Sequence, residues 1–171
     1  MKNNDSRIFL IKRAKNGDAE SFIQLCKLYQ DVLYNSAYRI LLNNEDVADC
    51  LQETEIRAWA NIKKLKNESA FNTWIFQIMI NVAKTMLKKR EDIVPLEHEN
   101  IIDTGNLPFE LRNELSTLPE IYRIPIVLYY YAGFSIEEIS KELKVPKNTI
   151  KTRLARGRKQ LKKILGGSFN E

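Results

Sequence analysis

Wherever this chain shows a period, its apolar residues recur at spacings of three and four, and nowhere do they alternate convincingly at two. A chain with that pattern folds as helices that each bury one stripe, so an all-α fold is expected. Phe22, Leu25, Tyr29, Val32, Ser36 and Ile40 mark the stripe of a long amphipathic helix, which follows a start signal at Asn16, Gly17 and Asp18. Asn44 is placed to cap a second helix, roughly Glu45 to Ile62, with acids in the first turn where the helix dipole favours them. A third helical run spans about Ser69 to Arg90, and the polar segment Lys63 to Ser69 before it reads as a loop.

From Glu91 to Pro108 no period is sustained, and two prolines and a glycine interrupt the chain. This stretch is expected to be a flexible interdomain linker, leaving small helical domains at 1–90 and 109–171. The second domain opens with a short helix near Phe109 to Ser116, and Pro119 suits a first helical turn. Pro125 has no N–H to donate, so it should kink or restart the next apolar run, which Gly133 closes. Ser135 and Glu138 form an S-x-x-E capping box that opens a helix from Ile136 to Leu143. A tight turn at Lys144, Val145 and Pro146 leads into a final helix reaching about Leu165. Two helices joined so closely, the second strongly basic, make a helix-turn-helix.

Composition narrows the function by exclusion. No apolar run approaches the ~18 to 20 residues of a membrane span, and MKNNDSR lacks the apolar core of a signal peptide, so cytoplasmic residence without direct membrane insertion is expected. Cys26 and Cys50 stand apart from any second Cys or His at ligand spacing, which reads as two core thiols and no metal. His98, in an acidic stretch with a proline, reads as a solvated loop residue. No Walker loop, G-x-G-x-x-G, G-x-S-x-G or H-E-x-x-H motif is present, and neither an enzyme nor a cofactor is expected.

Charge, by contrast, is segregated. Lys141 to Lys163 holds ten basic residues against Glu142, whereas Glu91 to Glu114 holds seven acids against Arg112. On the final helix Ile150, Leu154, Gly157, Leu161 and Ile164 share the face that packs on the domain. Lys151, Thr152, Ala155, Arg156 and Lys159 lie opposite, where Arg, Lys and Thr can reach base edges in a major groove. Arg153, Arg158 and Lys162 suit the flanking phosphates.

The string GFSIEEISKELKVPKNTIKTRLARGRKQLKKIL resembles region 4, the −35-reading domain, of the group IV or extracytoplasmic-function (ECF) sigma factors of the sigma-70 family, and LPEIYRIPIVLYYYAGFS resembles the part leading into it. NEDVADCLQETEIRAWANIKKLK is similar to region 2.2 of those factors, and FNTWIFQIMINVAKTMLKKR to regions 2.3 and 2.4. A helix-turn-helix alone would be weak evidence. Two dissimilar blocks in the right order and at the right separation are specific. The resemblance implies a sigma region 2 bundle and a sigma region 4 helix-turn-helix in one alternative sigma factor. Its implied partners are bacterial RNA polymerase core, promoter DNA and an anti-sigma factor.

The same resemblance assigns roles to residues. Asp49, Gln52, Glu53 and Arg57 occupy the positions that dock on the polymerase clamp helices. Asn81 matches the residue facing the non-template strand of the −10 element, with Lys84, Lys88, Lys89 and Arg90 as phosphate contacts. The loop residues Lys63, Lys64, Lys66 and Asn67 match a pocket for a flipped base. Phe71, Trp74 and Phe76 are open to two readings, base stacking or core, with core favoured for Trp74. Asn148, Thr149, Lys151, Thr152, Arg153, Ala155, Arg156, Arg158 and Lys159 fall on the −35 reader, for which the family prefers an AAC-containing element. The chain departs from the family in Glu55, where an apolar residue is usual, and in Cys50, where an aliphatic one is. Glu55 must reach water or a base to be tolerated.

Two other classes compete. A stand-alone helix-turn-helix repressor or activator needs a dimer interface and usually a sensing pocket, whereas the first half offers an acidic helix followed by an aromatic and basic one. An enzyme acting on nucleic acid needs paired carboxylates near a basic groove or a metal cluster, and neither is visible.

Overall fold

The computed structural model describes residues 2–93 and 115–168, with side chains from 5 to 90 and from 115 to 164. The described residues form α1 (Lys2–Lys15), α2 (Ala19–Leu41), α3 (Asn44–Asn61), 3₁₀ turns at Ile62–Lys64 and Glu68–Ala70, α4 (Phe71–Ile93), α5 (Glu120–Tyr130), α6 (Ile136–Leu143) and α7 (Lys147–Ser168), with no strand among them. The described residues fall into two compact units, 2–37 with 45–93, and 38–44 with 115–168.

In the first unit Asp18 starts α2. Its Oδ1 accepts from the N–H groups of Glu20 and Ser21 at 3.1 and 3.3 Å, and its Oδ2 from the Ser21 hydroxyl at 2.9 Å. Gly17 takes the left-handed conformation, φ +95°, that the turn before Asp18 requires. These bonds, with Arg13 at 2.5 Å, hold the Asp18 carboxyl below its usual range, the Ser21 hydroxyl contributing most. The α2 stripe departs from the expected one at a single position. Val32 is exposed and Leu33 buried, because Leu25, Tyr29 and Leu33 continue inward in steps of four. Asn44 is the first residue of α3 rather than its cap, an ordinary shift of one position.

Helix α4 is the centre of this unit. Phe71, Ile75, Phe76, Met79, Ile80, Val82 and Ala83 are all buried, which covers more of its circumference than a single stripe. Phe71 packs on Tyr29 with ring centroids 5.3 Å apart, and Phe22 on Trp59 at 5.1 Å. The helix continues past Arg90 to Ile93, so the expected linker starts no earlier than residue 94. The remainder of that linker, with His98, lies outside the described residues. Helix α1 was not legible as an element, since it buries only Ile11 and Ala14 among its described residues and its stripe is too thin to read.

In the second unit, the helix expected near Phe109 to Ser116 lies outside the described residues except for Leu115 and Ser116, which are helical. Pro119 precedes α5 rather than sitting in its first turn. The run does not restart at Pro125, which lies inside the single helix α5. Proline there removes one bond, to the carbonyl of the half-exposed Ile121, which water can satisfy. Burial of Pro125 with Ile124, Ile126, Val127 and Leu128 offsets that loss. Buried Arg123 steadies the entry to the helix, donating from Nη1 to the Leu118 carbonyl at 3.0 Å.

The capping box opening α6 is complete. The Ser135 hydroxyl accepts from the Glu138 N–H at 3.2 Å, and Glu138 Oε2 accepts from the Ser135 N–H at 2.8 Å. Ser135→Ala is expected to cost about 1 kcal/mol, seen as roughly fivefold faster amide exchange in α6. Unchanged exchange there would mean that packing alone sets the helix start.

Candidate nucleic-acid and protein interfaces

Helices α6 and α7 are locked by the turn between them. Lys144 adopts the left-handed conformation, φ 54°, and its N–H bonds the Ser140 carbonyl. The Ser140 hydroxyl donates to the Val145 carbonyl at 2.7 Å, and the Val145 N–H returns to the Ser140 carbonyl at 3.1 Å. Glu137 spans the turn, pairing with Lys147 at 3.1 Å and Lys141 at 3.3 Å, and the hydrogen bond from Lys147 is the main cause of its lowered pKa. This geometry fixes α7 relative to the unit that carries it.

On α7, Ile150, Leu154 and Gly157 are buried, and Leu161 and Ile164 are partly so. Gly157 is the point of closest approach to α5. A Cβ there would lie 2.5 Å from Ile126 Cδ1 and 3.2 Å from Tyr122 Cβ, so a larger residue would have to displace the Ile126 side chain. The opposite face presents Lys151, Thr152, Ala155, Arg156 and Lys159 to solvent, with Asn148, Arg158 and Lys162 also exposed and Thr149 and Arg153 half-buried. A shallow concavity of about 310 Å³ beside it is lined by Ile121 and Tyr122 of α5 and by Asn148, Thr149, Thr152, Arg153 and Arg156. Arg158 donates from Nη1 to the Tyr130 hydroxyl at 3.0 Å, a tether from α5 that the sequence did not suggest.

In the first unit, α3 turns Asp49 and Gln52 to solvent, with Glu53 half-buried one turn from Asp49. Glu53 accepts from Arg57 Nε at 2.5 Å, so these two assigned residues act as one pair. Ile56 and Trp59 are exposed at 57% and 38% beside them. That apolar pair lies off the buried positions Val47, Cys50, Thr54 and Ala58, a signal the sequence carries in its spacing alone. Glu55 does reach solvent, and partial burial raises its carboxyl pKa. Cys50 is a core thiol near the Met79 carbonyl, at 3.7 Å, and burial raises its pKa to about 11. Cys26 is half-buried, and burial, with Glu55 adding, raises its pKa to about 12, so neither cysteine forms a thiolate at neutral pH.

Asn81, Lys84 and Lys88 fall at steps of three and four on the exposed face of α4, with Lys89 beside them. The Asn81 amide donates to the Gln77 carbonyl of its own helix at 2.8 Å. Arg90 is not a free phosphate contact, because it pairs with Asp46 at the start of α3. Phe71 and Phe76 are core residues and cannot stack on bases, and Trp74 is half-buried against Phe71. Lys63, Lys66 and Asn67 are exposed on the 3₁₀ segment, and Lys64 donates to Asn61 Oδ1 at 2.8 Å. Among the described residues no cluster of His, Cys, Asp or Glu could hold a metal, and no helix is long and apolar enough to cross a membrane.

A locked helix-turn-helix with a basic outer face, in the same chain as a helical unit with separate acidic and basic faces, defines a two-part DNA-binding protein. Family descriptions match both parts, Sigma-70 region 2 over residues 25–92 and Sigma-70 region 4 over residues 109–161. The ECF RNA polymerase sigma factor SigW of Bacillus subtilis is 34% identical, covering 91% of this chain and 94% of the relative. The ECF RNA polymerase sigma-E factor of Haemophilus influenzae is 30% identical, covering 89% and 91%. The chain belongs to the ECF sigma factors of the sigma-70 family. Its fold is similar to that of the sigma factor RpoE of Bartonella quintana, solved with the anti-sigma factor NepR, at TM-score 0.73 and 25% identity over 89% of this chain and 99% of that one. The fold also matches CnrH, solved with the cytosolic domain of CnrY, at TM-score 0.71 and 22% identity over 95% and 98%.

Proposed function

We propose that this chain is an alternative sigma factor acting in the cytoplasm, where it binds bacterial RNA polymerase core and directs initiation at promoters read at both −10 and −35. The observation that carries the reading is the α7 face of Lys151, Thr152, Arg156 and Lys159, exposed beyond a turn fixed by Ser140 and Lys144. An arginine and a threonine one turn apart on a groove-sized helix can bond base edges, and the lysines beside them can neutralise phosphates. No catalytic role is assigned to any residue.

The remaining roles divide between the parts. Residues 1–93 hold the polymerase and −10 functions, 94–108 connect, and 109–171 hold the −35 function. Asp49, Gln52 and the Glu53–Arg57 pair give the polymerase surface its charge pattern, and Ile56 and Trp59 give it apolar area. Asn81, Lys84 and Lys88 track the non-template strand, and Lys63, Lys64, Lys66 and Asn67 meet an unstacked base. The sigma factor RpoE, similar in fold and 25% identical, was solved with the anti-sigma factor NepR, which supports an anti-sigma protein as a third partner here.

Gel filtration of the chain mixed with polymerase core tests the reading. Comigration of the two is the expected result. Separate elution of the chain, with operator-like duplex binding that needs no polymerase, would favour a stand-alone regulator instead.

A further inference from the structure

The segment assigned above to an unstacked base is not held by its neighbouring helices alone. It consists of two single 3₁₀ turns, Ile62–Lys64 and Glu68–Ala70, elements with little stability of their own. Leu65 between them is buried and its N–H bonds the Ile62 carbonyl at 3.1 Å. The Asn67 side-chain oxygen accepts from the Ser69 N–H at 2.9 Å and caps the second turn. Both turns pack on α1. From the last turn of that helix Lys15 Nζ donates to Glu68 Oε1 at 2.7 Å, with the two side chains only 22% and 24% exposed. The Glu68 carboxyl is held below its usual range, first by this bond, with Lys12 adding a smaller share.

We infer that Lys15 and Glu68 are positioning residues for −10 base recognition. Through this pair α1 sets the backbone from which Lys63, Lys66 and Asn67 present their polar groups. The inference rests on the assignment of that segment to the −10 element. Base discrimination by hydrogen bonds depends on donor–acceptor geometry held to a few tenths of an ångström, which a pair of isolated 3₁₀ turns does not supply. Glu68 adjoins Asn67 in the chain, so fixing its carboxylate to a rigid helix fixes the Asn67 backbone as well. Lys15 is anchored in turn, because Ile11 and Ala14 of α1 are buried. A half-buried pair with one end on a docked helix gives up less side-chain freedom on forming than two solvated chains do, which makes it a better constraint than an ordinary surface pair.

The test uses holoenzyme reconstituted from the full chain and bacterial core, and a single-stranded DNA pool randomised across the −10 segment. Bound molecules are sequenced to give the base preference at each position. Lys15→Met and Glu68→Gln should each lower discrimination at one position by about fivefold or more, as expected when one base contact is misplaced. Affinity for core and for −35 duplex should stay within about twofold of the parent chain. The exchanged pair, Lys15→Glu with Glu68→Lys, should restore the lost preference. Asn67→Ala serves as the control on the segment itself. If Asn67→Ala changes the preference while Lys15→Met and Glu68→Gln do not, the segment reads a base without help from α1 and the inference is overturned. If Asn67→Ala also leaves it unchanged, the −10 assignment of the segment fails and takes the inference with it. Loss of core binding in the single variants would overturn it too, by showing that the pair merely holds the unit together.

Discussion

Arginine at both Asp49 and Glu53 is expected to lower affinity for polymerase core by about a hundredfold or more. The two side chains lie one turn apart on the solvent side of α3, so they address a single partner surface. Placing like charges across a docked interface costs several kcal/mol, and each 1.4 kcal/mol is a factor of ten. Arg57 adds to the effect, because its partner Glu53 becomes a cation one turn away. Helical content should not change, since neither residue belongs to the buried set of Val47, Cys50, Thr54 and Ala58. Binding to isolated −35 duplex should not change either. Titration of labelled variant into core, with circular dichroism and duplex binding as controls, measures all three. Unaltered affinity for core would remove these acids from the interface.

The second large effect separates base reading from phosphate anchoring on α7. Arg156 is exposed, one turn from Thr152 on the face opposite Ile150 and Leu154. Its replacement by alanine should cost roughly 1 to 3 kcal/mol on the cognate element and relax preference at one or two positions. Arg158 is held to the Tyr130 hydroxyl and lies at the edge of that face. Arg158→Ala should weaken binding to all sequences alike and lower the salt slope by about one unit. Duplex titrations at several salt concentrations, with cognate and scrambled sequences, give both quantities. Equal losses for Arg156→Ala on the two sequences would make Arg156 a phosphate clamp and move the reading face elsewhere.

What the sequence disclosed follows from how local the determinants are. The capping box at Ser135 and Glu138, the turn at Lys144 and the packing face of α7 each depend on a few adjacent residues, and the structure places them where the spacing predicts. The departures have non-local causes. Leu33 takes the place of Val32 in the core, and α5 continues through the buried Pro125. Arg90 looked like one more cation in a basic run, but Asp46, far away in sequence, takes it. Lys15 and Glu68 are separated by 53 positions, and only the fold brings them together. The family blocks carried the role assignments for α3 and α4, where composition alone allows no more than a charged, solvated face.

Promoter selection by the reconstituted enzyme decides whether this chain directs initiation. Run-off transcription from a library of promoter fragments, using polymerase core with and without this chain, reads it in one experiment. Discrete start sites are expected only when the chain is present, on fragments that share elements at −10 and −35. They should be lost when the −35 element is scrambled or when Asp49 and Glu53 are both reversed. Transcription that does not depend on the chain, or fragments that the chain binds and represses without core, would contradict it.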